Sequence, residues 1–226
     1  MSHPWRNEPG IALLVPVATV EQAASAAAAG AGLVDAGDDA ALVPDIRRAV
    51  NGVRICGEHE DADLMRDADL AARTGAALIC LGADAAEVAA RRGVAAGRIL
   101  VQAAPAGIEA VVRACWPVLA DLEGLADLEG DADLEGLADL EGLADLEGGA
   151  DLEGGADLEG GAELDGLTGL DGPRGLARIE ATAAVCAWLG ASMLRTSHVA
   201  EVRRCADMTE SILGRRPPAW AIRGLA

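Results

Sequence analysis

Short aliphatic runs, each followed by one stretch with a helical pattern, recur along this chain at intervals of about 20 residues, and that rhythm constrains the fold more than any other feature. The first run, residues 11–17, is continuously apolar rather than alternating, as expected of a parallel strand covered on both faces. Thr19 can cap the helix that follows over 20–29, and Gly30 ends it. Further strands are predicted over 32–35, 53–56, 77–81, 98–102, 117–119 and 193–195. The intervening helices fall at 42–50, 61–73, 84–92, 106–115, 179–189 and 199–213. Strands separated by single helices are the mark of βα units in a parallel sheet. Seven such strands fit either an open doubly wound sheet or a (β/α) barrel, and right-handed crossovers do not separate the two. No Gly-x-Gly-x-x-Gly follows the first strand and no Walker loop is present, so the nucleotide-binding open sheets lose support and the barrel gains.

One segment breaks the rhythm. From Ala120 to Leu167 the unit Ala-Asp-Leu-Glu-Gly-X is repeated eight times, ending in a degenerate tail to Gly172. We read 120–172 as an insertion, with 1–119 and 173–226 as one barrel domain. The insertion holds 18 acidic residues and no basic ones, so the rest of the chain has a net charge of only −1 out of the total −19. The acidity therefore belongs to the repeat. No basic patch or aromatic platform remains for nucleic acid, which is excluded as a partner. Six-residue spacing spreads the leucines around a helix, and extended alternation would suit a short β-solenoid, but uncompensated like charge favours disorder.

The barrel domain has about 170 residues, short of the roughly 200 that eight complete units need. One unit is read as lost between Cys56 and Ala77, where a single helix spans the distance, so the expectation is an incomplete TIM-type barrel, or a homodimer that covers the gap. Five widely spaced cysteines, mostly in apolar runs, read as buried reduced thiols and point to a cytoplasmic protein. His3, His59 and His198 have no ligand spacing, so no metal site is read. The apolar run 11–20 is too short to cross a membrane, and no membrane partner is expected.

The last fifty residues carry a resemblance. The stretch Ala177-Arg-Ile-Glu-Ala-Thr-Ala-Ala-Val-Cys-Ala-Trp-Leu-Gly-Ala-Ser-Met-Leu-Arg195, then His198-Val-Ala-Glu-Val-Arg-Arg204, and the ending Arg216-Pro-Pro-Ala-Trp-Ala-Ile-Arg-Gly-Leu-Ala226 resemble the final helix, strand and helix of dihydropteroate synthases. They are most similar to a divergent paralogous branch with the same Arg-Pro-Pro and Arg-Gly-Leu-Ala ending. Gly93 to Val101 looks like the family's approach to its sixth strand, and Gly32 to Gly37 like its second. The resemblance implies a pterin-binding (β/α)8 barrel of the folate pathway. Such a barrel joins dihydropterin pyrophosphate to para-aminobenzoate at the mouth of its strands, with Mg2+ steadying the leaving pyrophosphate.

Matched position by position, most of the implied machinery is missing. Pro16 to Val20 stand where the first-strand Asn is expected, Cys56-Gly57-Glu58 replace an Asp-Thr, and Gln102-Ala103 replace an Asp-Pro. A Ser-x-Lys would fall at about Glu123 and Leu125, inside the repeat, and the chain contains no lysine at all. Arg195-Thr-Ser197 keeps the Arg of an Arg-x-His, with His198 displaced by one place, which on a strand reverses the face. No residue is assigned as a catalyst. The pterin- or anion-binding candidates are Asp35, Gln102, Arg195 and His198. Each has a plainer reading: a strand end or helix cap for Asp35, a ring contact short of a carboxylate's strength for Gln102, a salt bridge for Arg195, a cap-region residue for His198. Glu58 and His59 could form an acid–base pair or merely a solvated acidic turn. Three functions follow as alternatives: a degenerate homologue with residual pterin affinity and Mg2+ only if activity persists, an active enzyme rebuilt from Asp35, Glu58, Gln102, Arg195 and His198, or a non-catalytic partner. The partner could be a second copy, an active synthase, or whatever the acidic repeat attracts.

Overall fold

The computed structural model describes residues 10–122 and 173–215. The expectations for the repeat beyond Leu122 and for the Arg-Pro-Pro ending lie outside these residues. Eight parallel strands close into a barrel in chain order: β1 (Ala12–Pro16), β2 (Leu33–Asp35), β3 (Arg54–Cys56), β4 (Leu64–Met65), β5 (Ala77–Leu81), β6 (Ile99–Gln102), β7 (Val118–Asp121) and β8 (Met193–Arg195), with β8 pairing back to β1. Among the described residues seven α-helices surround it: α1 (Val20–Ala28), α2 (Leu42–Ala49), α3 (Ala68–Thr74), α4 (Ala83–Arg91), α5 (Pro105–Arg113), α6 (Pro173–Leu189) and α7 (Val199–Ile212).

The barrel read from the sequence is present, but its count needs correction. The expected seven strands are eight, and the barrel is closed rather than open at a gap. The missed strand is β4. Its two residues lie inside the segment where one helix was expected from 61 to 73, and the helix there starts only at Ala68. A strand of two residues carries no periodic signal, so the pattern of the following helix masks it. What is missing at this place is a helix: residues 57–63 join β3 to β4 without one, although parallel strands normally need a longer crossover.

Four hydrogen bonds hold this short crossover. At its lower end the Asp63 carboxylate accepts the Ile55 N–H at 2.9 Å and the Arg47 guanidinium of α2 at 2.7 Å. Arg47 also donates to the Asp61 carbonyl at 2.6 Å, so α2 clamps both strands from outside. At the upper end Gly57 donates to the Leu64 carbonyl at 3.1 Å. A Cβ on Gly57 would lie 2.8 Å from Cγ2 of buried Val43, so the absence of a side chain lets α2 close over the place of the missing helix.

Helix ends follow local chemistry. Thr19 Oγ1 accepts the Gln22 N–H at 3.2 Å while Gln22 Oε1 accepts the Ala18 N–H at 2.7 Å, a reciprocal cap for α1. Asp67 caps α3 through the Leu70 N–H, and Gly75 ends that helix in the left-handed conformation at φ 76°.

Two apolar layers result. Side chains one face inward, among them Leu14, Leu33, Leu64, Leu100, Leu119 and Met193, fill the barrel. Their neighbours on the other face, such as Leu13, Val34, Ile55 and Val101, pack beneath the helices. This two-sided burial explains why the strands read as unbroken aliphatic runs. Cys56, Cys80 and Cys186 are buried thiols as expected, Cys205 is half-buried, and Cys115 is exposed beyond the end of α5 at φ 63°. No described helix is long and apolar enough to cross a membrane.

Candidate functional site

Period two along a strand decides what reaches the mouth of the barrel. One step above the interior layer on the same faces, Leu33 is followed by Asp35, Leu64 by Arg66, Leu100 by Gln102, Leu119 by Asp121 and Met193 by Arg195. The C-terminal ends of the strands thus project a ring of polar groups over an aliphatic plug.

Four of these join in one network. Asp35 is only 1% exposed, and its carboxylate is held by Arg66 Nη2 at 2.8 Å, by Arg195 Nε at 3.2 Å, and by the Gly37 N–H at 3.1 Å. Arg195 turns its Nη1 to Asp121 Oδ2 at 3.0 Å. Burial pushes the Asp35 carboxyl up, but the Arg66 hydrogen bond and charge, the Gly37 N–H and Arg195 outweigh it and hold the group below the usual carboxylate range. Burial would lower Arg195, yet the Asp121 and Asp35 carboxylates raise it further. Below Asp35, on the paired residue of β3, burial first and the Asp35 charge second push the Cys56 thiol well above its normal value. That thiol is not a nucleophile at neutral pH.

The sequence-derived candidates separate accordingly. Asp35 and Arg195 are brought into direct contact. Gln102 stands at the end of β6 and lines a different hollow with Arg66. His198 immediately precedes α7, its N–H donating to Thr196 Oγ1 at 3.0 Å, and its imidazole takes no part in the Asp35 network. Glu58 and His59 do not pair with each other: Glu58 accepts the Arg66 N–H at 2.9 Å, and His59 Nδ1 accepts the Asp61 N–H at 3.1 Å. A site rebuilt from Asp35, Glu58, Gln102, Arg195 and His198 is therefore not assembled as one cluster.

Two members of the network escape sequence reading. Arg66 follows the unrecognised strand β4, so nothing marked it as a mouth residue; an apolar pair ending in Arg just before the Asp67 cap is the only local sign. Asp121 looks like the first acid of the repeat, yet β7 runs on through Ala120 and Asp121.

The network also bears on Mg2+. The Asp35 and Asp121 oxygens that would serve as hard ligands are engaged by guanidinium groups, and β1 ends in Pro16, which offers no side-chain oxygen. Among the described residues no cluster of three His, Cys, Asp or Glu could hold a metal. The residues present do not fit the ion. Beside the network a hollow of about 300 Å3, lined by Pro16, Val17, Gln22, Asp35 and Arg195 among others, opens at the ends of β1, β2 and β8.

A closed, eight-stranded parallel barrel with its polar groups at the C-terminal mouth places the chain among the TIM-type α/β barrels. No family model and no curated protein matches its sequence. Among solved structures the fold is similar to that of the Mycobacterium tuberculosis protein Rv1207, at 22% identity and a TM-score of 0.59 over 94% of this chain and 95% of that one. It is also similar to the 7,8-dihydropteroate synthase of Vibrio fischeri (12% identity, TM-score 0.60, 94% and 98% covered). A third similar structure is the Xanthomonas albilineans dihydropteroate synthase in complex with 7,8-dihydropteroate (14%, 0.57, 92% and 94%). The likeness to dihydropteroate synthases read from the C-terminal residues thus holds at the level of the fold.

Proposed function

We propose that this chain is a dihydropteroate-synthase-like cytoplasmic protein without synthase activity, with room at its mouth for a pterin-like heterocycle. The observation that carries this reading is the double engagement of Asp35 by Arg66 and Arg195. A synthase must present free cationic donors to a pyrophosphate and neutralise the charge that builds on it as it leaves. Here both guanidinium groups are spent on internal carboxylates, the metal ligands do not fit, and no lysine is available. Catalysis would require breaking ion pairs in which the carboxylate is buried, a cost of several kcal/mol. A flat ring with hydrogen-bonding edges could still meet Asp35 and Gln22 in the hollow at the ends of β1 and β2. Purified protein given dihydropterin pyrophosphate, para-aminobenzoate and Mg2+ is expected to form no dihydropteroate above the uncatalysed rate, while calorimetry with a pterin alone gives a measurable heat of binding. Multiple turnover would overturn the non-catalytic reading; the absence of pterin binding would overturn the heterocycle.

A specific surface favours a second element, self-association. The outer face of α6 carries Ala181, Val185 and Trp188, and the outer face of α7 next to it carries Met208 and Ile212. Trp188 is 57% exposed and Ile212 68%. Two adjacent helices with aliphatic and indole side chains outward present the kind of apolar face that an isologous dimer buries. We expect sedimentation at micromolar concentration to give a dimer and Trp188→Glu to give a monomer with an unchanged circular dichroism spectrum. A wild-type monomer would sink the homodimer and leave a different chain, such as an active synthase, as the occupant.

A further inference from the structure

We infer that the cleft between α3 and α4, outside the barrel wall, is a binding site for a small amphipathic acid: an aliphatic or aryl chain ending in a carboxylate or sulfonate. The cleft lies over the outer side of β5, between α4 and the start of the seven-residue helix α3. Leu78 and Cys80, both buried, form its floor, and the small side chain of Ala89 on α4 leaves its wall open. Its volume is about 510 Å3, within the range of small-molecule sites, and most of its lining is apolar.

Two exposed aliphatics mark it as more than a packing gap. Leu81, 77% exposed, stands at its upper rim, and Val88 is exposed along its side. Polar groups lie only at the ends. Gln102 and Arg66 close the top, where Arg66 is already committed to Asp35. Helix α4 starts at the top of β5 and runs downward, so Arg92, which follows its last residue, lies about 14 Å below the rim. Arg91 beside it pairs with Glu87 at 3.6 Å, whereas Arg92, in the cleft lining, makes no ion pair among the described residues. An apolar slot with a guanidinium at its foot that makes no ion pair among the described residues, and an amide at its head, is complementary to an elongated apolar body with a single negative charge. A neutral apolar molecule would leave Arg92 without its counter-charge, and a multiply charged phosphate compound would have to put charge against Leu78 and Val88.

The test uses the full-length protein with anilinonaphthalene sulfonate as the fluorescent probe and dodecanoate and dodecanol as competitors. The expected result is one probe molecule bound per chain and its displacement by dodecanoate at lower concentration than by dodecanol. Arg92→Gln, at an exposed position, should weaken dodecanoate about five- to tenfold and leave dodecanol unchanged, a size appropriate to a charge-assisted contact at a partly solvated site. Val88→Trp fills the cleft from its exposed side and should abolish displaceable binding with an unaltered thermal unfolding curve. Full probe binding by Val88→Trp, or equal losses for dodecanoate and dodecanol in Arg92→Gln, would overturn the site.

Discussion

Replacing Asp35 by Asn should destabilise the protein by about 2–4 kcal/mol at neutral pH, measured by urea unfolding. The substitution keeps the shape of the side chain and removes the charge that Arg66 and Arg195 share. Two guanidinium groups are then left at a mouth where the carboxylate itself was buried. Both arginines are partly exposed, so water recovers some of the loss and the upper end of the range for a broken buried pair is not reached. The pH dependence identifies the cause. Asp35 is held below the ordinary carboxylate value, so the folded state binds this proton less readily than the unfolded chain. Its contribution is fully present above the unfolded pKa of about 3.9 and is lost as the pH falls through the lower, folded value. The gap between wild type and Asp35→Asn should therefore be constant from about pH 5 to 8 and shrink below about pH 4. A gap unchanged down to pH 2 would mean that lost packing, not charge, sets the cost.

Leu64→Ala should cost about 3–4 kcal/mol, the middle of the range for a buried leucine, lowering the melting temperature by roughly 8–15 °C. Leu64 is fully buried inside the barrel and supplies half of a two-residue strand. It pairs with Cys56 on one side and Ala77 on the other, and no crossover helix packs over the link that delivers it. The surroundings cannot collapse into the vacated space without breaking a ladder that has few bonds to lose. Leu81→Ala, on the exposed rim, serves as the control and should change stability by less than about 0.5 kcal/mol. A Leu64→Ala variant within 1 kcal/mol of wild type would show that β4 does not hold the closure.

Much of the fold is legible in the sequence because parallel strands buried on two faces must be written as aliphatic runs, and the helices between them must carry caps. β1, β5 and β6 show this directly, as do Thr19 and Gly75. The mouth is only half legible. Asp35 and Arg195 stand out as polar ends of recognisable strands, and the structure joins them across 160 positions of chain. Arg66 and Asp121 belong to the same network, but one follows a strand too short to show a period and the other is camouflaged by the acidic units that begin with it. For His198 the plainer sequence reading, a cap-region residue, matches its position immediately before α7.

The sequence by itself determined that strands and helices alternate in βα units, which fit a barrel or an open sheet, that 18 of the acidic residues fall in the repeat over 120–172, and that the chain has no lysine. Those properties are carried by composition and local period, which need no partner to be read. Only the tertiary structure decided that the barrel closes with eight strands and seven described helices, and that two arginines are neutralised by two aspartates. Closure depends on pairings between segments far apart, and a charge network depends on which strand ends meet at the mouth. Both are set by the ring order of the strands, which no local pattern encodes.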